Sequence, residues 1–148
     1  MTETQTFAAI RTEFEAAFQK LIMVAENYPA ALQTKAGACG KWSGREVLAH
    51  FSGWLVEALR RYSRYERGTG HVQYNKDAFN EVSVWLRREA DYEMMLQELR
   101  DRVGKLSHLA QNLTEAQIQH EPRYTEWLTD LAHEAREHTA QLEEFARK

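Results

Sequence analysis

Apolar residues recur at three- and four-residue steps along most of this chain, and two-residue alternation is never sustained. That periodicity predicts amphipathic helices and no sheet. Phe7, Ile10, Phe14, Phe18, Leu21 and Ala25 form the first stripe. It is expected to end before Asn27-Tyr28-Pro29, because proline disfavours helical geometry in the residue ahead of it. The second stripe has an explicit start: Ser43 and Glu46 form a Ser-x-x-Glu capping box, in which two side chains satisfy two orphan backbone donors. Val47, His50, Phe51, Trp54, Ala58 and Leu59 follow on one face, and the stripe runs out at Arg67-Gly68-Thr69-Gly70.

A third helix is expected from near Asp77 through Phe79, Val82, Leu86, Met95, Leu99, Val103 and Leu106, about nine turns, with Gly104 weakening its end. Thr114 and Gln117 suggest a second capping box for a short helical turn. After Pro122 the last helix carries Trp127, Leu128, Leu131, Ala135, His138, Leu142 and Phe145. Four such helices predict a four-helix bundle forming one domain over residues 1–148, with Glu66 to Lys76 as a crossing connection.

Composition narrows the function classes. The chain has 148 residues, 43% of them hydrophobic, which supports a core and excludes a disordered chain. Nineteen Lys and Arg stand against 22 Asp and Glu, a net charge of −3. With no basic excess to hold a phosphate backbone, the expectation is no nucleic-acid partner. No apolar run approaches a membrane span, so no membrane association is expected. The polar, acidic start MTETQTFAAI is unlike a signal peptide. One cysteine, Cys39, allows no internal disulfide, and a cytoplasmic location is expected.

Chemistry is sought among polar residues on apolar stripes, because burying them without partners is costly. His50 lies three residues after Val47 and four before Trp54, so it faces the core. His138 lies four before Leu142 and faces the core of the last helix. Glu134, four residues before His138, sets a carboxylate one turn away on the same face. His133 points more toward solvent. Two nitrogens and one oxygen from facing helices suit zinc, nickel or iron(II). Equally, a histidine on a helical stripe suits a hydrogen-bonded core residue, and Glu-x-x-x-His spacing arises by chance among 22 acids and six histidines. His71, His108 and His120 read as surface residues and Cys39 as small apolar filler. Trp42, Trp54, Trp85 and Trp127 are expected mostly in the core. The run Arg60-Arg61-Tyr62-Ser63-Arg64-Tyr65 reads as a solvated helix end.

The segment from Lys41 to Trp54, with Trp42, Ser43, Glu46, Leu48, Ala49, His50 and Trp54 in register, resembles the W-S-x-x-(D/E)-x-L-A-H-x-x-x-W segment of the DinB/YfiT-like superfamily, and within it the ClbS/DfsB branch. Tyr74 to Asn80 is similar to the N-x-D-x-x-N opening of that family's third helix. Glu134 to His138 is similar to an H-Y-R-E-H segment on its last helix.

This resemblance implies an up-down-down-up four-helix bundle, a homodimer and, in many members, a three-histidine metal site. Carried over, the first ligand falls on His50 and the last on His138. The middle one falls on Glu134, where the family has histidine. Zinc, nickel or iron would then activate water or a low-molecular-weight thiol against an electrophilic small molecule. The ClbS type opens a strained electrophilic ring in a genotoxin. Trp54 and Asn80 would form the substrate pocket by their nearness in the motif. Two rival readings keep the fold: a metal-free hydrolase or ligand-binding protein using His50 as a base oriented by Glu134, and a non-catalytic dimerising bundle.

Overall fold

A computed structural model describes residues 6–70 and 73–148 and holds six α-helices among them. They are α1 (Phe7–Glu26), α2 (Gly44–Glu66), α3 (Lys76–Leu86), α4 (Tyr92–Gln111), α5 (Glu115–His120) and α6 (Arg123–Arg147). A single 3-10 turn, Ala30–Leu32, follows α1. The expected crossing connection is only partly visible, since 71–72, and with them His71, lie outside the described residues.

The long helices α1, α2, α4 and α6 form the bundle. α1 packs on α6 and α4, and α2 packs on α4 and α6. Side-chain pairs set the directions. Glu26 meets Arg100 and Glu15 meets Gln111, so α1 and α4 are antiparallel. Ser52 meets Glu98, while Arg45 near the start of α2 reaches the carbonyls of Arg87 and Ala90 just before α4, so α2 and α4 run parallel. Ala58 meets Trp127 and His50 meets His138, so α6 is antiparallel to α2. The bundle is therefore up-down-down-up, as expected.

The capping signals hold. Ser43 and Glu46 close the box that starts α2, and Thr114 and Gln117 do the same for α5. Phe14, Phe18, Leu21, Leu48, Phe51, Leu55, Leu99, Leu106, Leu128 and Leu142 fill the interior, with Phe14, Phe18 and Phe51 in tilted and edge-on contacts of 5.0–5.9 Å. No helix among the described residues is long and apolar enough to cross a membrane.

The expected nine-turn third helix is not continuous. It breaks over residues 87–91 into α3 and α4, and Gly104 lies within α4. Two interactions favour the break. Asp91 caps α4 by accepting from the Met94 amide at 2.8 Å. Arg45 donates at 3.1 Å to the carbonyls of both Arg87 and Ala90, tying that turn to the start of α2. With the helix broken, α3 rides on the outside of α2. Val82, Trp85 and Leu86 are consequently exposed, Trp85 by 58%, which corrects their placement in the core.

Candidate metal site and the cleft beside it

Two capped helices bring the site together. The Ser43 box sets the register of α2, placing His50 two turns in, and antiparallel α6 lays Glu134 and His138 against it. The donor atoms of His50, Glu134 and His138 all lie within 4.8 Å of one another. The two imidazole centroids are 5.2 Å apart. Glu134 Oε2 lies 3.3 Å from His138 Nε2, and His138 Nδ1 meets Gln141 Oε1 at 2.8 Å. Trp42 and Phe51 pack on the His50 ring at 4.9 and 5.3 Å.

The electrostatics of the three groups differ. Burial first, then the neighbouring His138, pulls the His50 pKa down to about 4, against weaker support from Glu134 and Asn80. His50 is thus neutral at pH 7 and can offer a lone pair. Its Nδ1 is buried without a hydrogen-bond partner, one of two such side-chain atoms among the described residues. Burial also opposes charge on His138, yet hydrogen bonding with Cys39, Glu134 and Gln141 outweighs it and pushes the pKa up to about 10. The same bond holds the Glu134 carboxyl below the usual carboxylate range.

These residues fit a divalent transition ion. Two imidazoles and one carboxylate form an accepted set once His138 gives up its proton, and the buried, partnerless His50 nitrogen is the feature a ligand would relieve. Ligands about 2.1 Å from a tetrahedral ion sit roughly 3.4 Å apart, so the 4.8 Å span is within about 1.4 Å of closure. His133 is exposed and pairs with Glu137 at 3.6 Å, so it does not take the place of Glu134.

A cleft of about 470 Å³ lies beside α2, with His50 and Glu134 of the triad in its lining. Trp54 and Asn80 both line it, joined by a 2.5 Å hydrogen bond from Trp54 Nε1 to Asn80 Oδ1. Trp127 and Leu131 supply apolar wall, and Arg61, Arg64, Tyr65, Lys76, Arg123, Glu126, Asp130 and the exposed His133 supply polar groups.

The arginine run is therefore not simply a solvated helix end. Arg64 donates to Glu57, which is only 3% exposed, and the Tyr74 hydroxyl donates to the same carboxylate. A sign of this was present in the chain: Glu57 lies on the buried side of α2, seven residues from Arg64, two turns along one face. Cys39 is buried and does not line the cleft. His108 and His120 stand at the ends of α4 and α5, away from the triad.

No family model matches the chain, and no curated protein matches it. Solved structures do. An uncharacterised protein from Escherichia coli UTI89 superposes with a TM-score of 0.83 and 16% identity, over 97% of this chain and 94% of that one. The colibactin self-resistance protein ClbS, solved in complex with double-stranded DNA, gives 0.80 and 13% over 97% and 96%. DfsB, described as a sibling lethal factor precursor, gives 0.77 and 11% over 98% and 97%. By fold the protein is a ClbS/DfsB-like helical bundle, as the motif resemblance implied.

The expectation of no nucleic-acid partner is overturned by the same comparison, because a protein of this fold has been solved holding a DNA duplex. Net charge is a sum over the whole chain, whereas phosphate contact depends on where the cations gather. Here Arg60, Arg61, Arg64 and Arg67 gather within eight residues despite a total of −3.

Proposed function

We propose that this protein is a metal-dependent enzyme acting on an electrophilic small molecule, with His50, Glu134 and His138 holding zinc, nickel or iron(II). The observation that carries the reading is the convergence of those donors within 4.8 Å, two of them, His50 and Glu134, in the lining of a cleft. Bound there, the ion would supply Lewis acidity and lower the pKa of a water or small thiol.

The chain's own residues do the rest. His50, neutral and buried, offers nitrogen without first losing a proton. Glu134 carries the charge that offsets the ion, and Gln141 orients the His138 ring through Nδ1. Trp42 and Phe51 shield the His50 side from water. Trp54 and Asn80, locked to each other, form a fixed wall against which a small molecule can lie. The likeness to ClbS supports a protective role against a reactive compound, as a colibactin self-resistance protein has.

A second reading is favoured by the direct contact between Glu134 and His138. There the pair is an ion pair that needs no metal, and neutral His50 acts as the general base.

Elemental analysis by mass spectrometry on untagged protein, beside His138→Ala, separates the two. Near-stoichiometric zinc, nickel or iron that disappears in the variant is the expected result. No metal after incubation with all three ions would remove the metal-dependent reading and leave the metal-free one.

A further inference from the structure

The cleft's arginines are not equivalent. Arg64 is committed to Glu57 and Tyr74, and Arg123 to Glu121 and the Thr69 carbonyl. Arg61 has neither an ion pair nor a hydrogen bond to any described residue. Its guanidinium is held instead by two aromatic rings, 5.6 Å from the Trp54 centroid and 5.4 Å from that of Tyr74. It is half-buried, lines the cleft and keeps its N–H donors unused. Stacking restricts the fork before any ligand arrives, so little further ordering is lost when an anion binds.

The opposite wall decides what kind of anion. Glu126 and Asp130 on α6 line the same cleft and form no ion pair with a described residue. Arg123 on α6 lines the cleft too but is taken up by Glu121, so the unpaired charges are cationic on one side, through Arg61 and Lys76, and acidic on the α6 side. A second anionic group on the same ligand would meet Glu126 or Asp130. Trp54 stands four residues, about 6 Å along the axis, from His50. An anion on Arg61 thus leaves the far end of the ligand beside the triad.

We infer that Arg61 is an anion-recognition residue and that the cleft takes a small molecule bearing a single carboxylate, several bonds from its reactive centre. The planar fork matches a carboxylate through two parallel hydrogen bonds. This rests on the reading that the cleft is the substrate site, but it does not require that a metal be present.

The test uses a matched pair of probes, 4-phenylbutyrate and its neutral amide 4-phenylbutyramide, titrated while following the Trp54 indole resonance. On the wild-type protein the carboxylate is expected to bind roughly tenfold tighter than the amide, the scale of a hydrogen bond to a charged group. Arg61→Met is expected to bring the two to equal affinity, while Arg60→Met, which changes an arginine outside the cleft, preserves the preference. Equal affinities on the wild type, or a preference that survives Arg61→Met, overturns the inference. So does a short DNA duplex whose binding depends on Arg61 when the carboxylate's does not, since the residue would then serve a phosphodiester. Repeating the titration on His138→Ala separates this inference from the metal-dependent reading. A preference that persists in wild-type protein found to hold no metal sustains Arg61 and removes the metal; full metal occupancy without a preference does the reverse.

Discussion

Gly53 on α2 lies tight against Ser83 on α3, and adding one methyl group there tests the packing of α3 on α2. A Cβ on Gly53 would fall 2.2 Å from Ser83 Oγ and 2.5 Å from Ser83 Cβ. Ordinary carbon contacts lie at about 3.5–4.0 Å. Rotating the Ser83 hydroxyl relieves the first clash, but the second requires α3 to retreat by roughly 1 Å. Overpacking of this kind costs about 1–3 kcal/mol. Replacing a helical glycine by alanine returns close to 1 kcal/mol in propensity. Gly53→Ala is therefore expected to lose about 1 kcal/mol net, or a Tm lower by roughly 2–4 °C for a chain of this size.

Urea denaturation followed by circular dichroism measures the loss. Ser83→Gly removes both clashing atoms, so the double variant is expected to recover stability relative to the sum of the two singles. Because α3 also carries Asn80, the retreat is expected to loosen the Trp54–Asn80 bond and shift the indole resonance. A Gly53→Ala protein more stable than the wild type, with no coupling to Ser83, would refute the close-packing argument.

Other outcomes follow from the same structure. Glu57→Ala strips Arg64 of its buried partner and is expected to cost about 3 kcal/mol in urea denaturation, the low end for a buried pair because Arg64 still touches water; a loss below about 1 kcal/mol would count against the pairing. In chelator-treated protein, His50 refuses a proton that the unfolded chain accepts, so its contribution is present above pH 6.5 and is lost as pH falls toward 4. His138 has the opposite sign: its contribution is full below pH 6.5 and is lost as pH rises toward 10. Urea midpoints across pH should show both trends, with the acid-side loss reduced in His50→Phe. Glu134→His restores three imidazoles and is expected to tighten zinc binding in a chelator competition, whereas Glu134→Ala weakens it. Trp85→Ser, at an exposed site on α3, is expected to change stability by no more than about 0.5 kcal/mol.

Much of this protein is local in origin and could be read along the chain. The stripes of α1, α2 and α6 and the boxes at Ser43 and Thr114 depend on neighbours within one or two turns, which the chain itself supplies. Glu134 and His138 share a helix, so four-residue spacing alone put them on one face.

What remained was decided between helices. The pattern from Asp77 to Leu106 reads as one helix. Besides the local Asp91 cap, the reach of Arg45 across from α2 favours the turn at 87–91, and that turn exposes Trp85 and Leu86. Whether His50 meets the α6 pair depends on the antiparallel packing of α2 and α6, which no spacing within either helix encodes. The arginine run shows the limit most directly. Its charges are visible in the chain, but only the fold assigns Arg64 to a buried acid and leaves Arg61 stacked on aromatics with its donors free, because pairing depends on what lies within a few ångströms and not on what lies nearby in sequence.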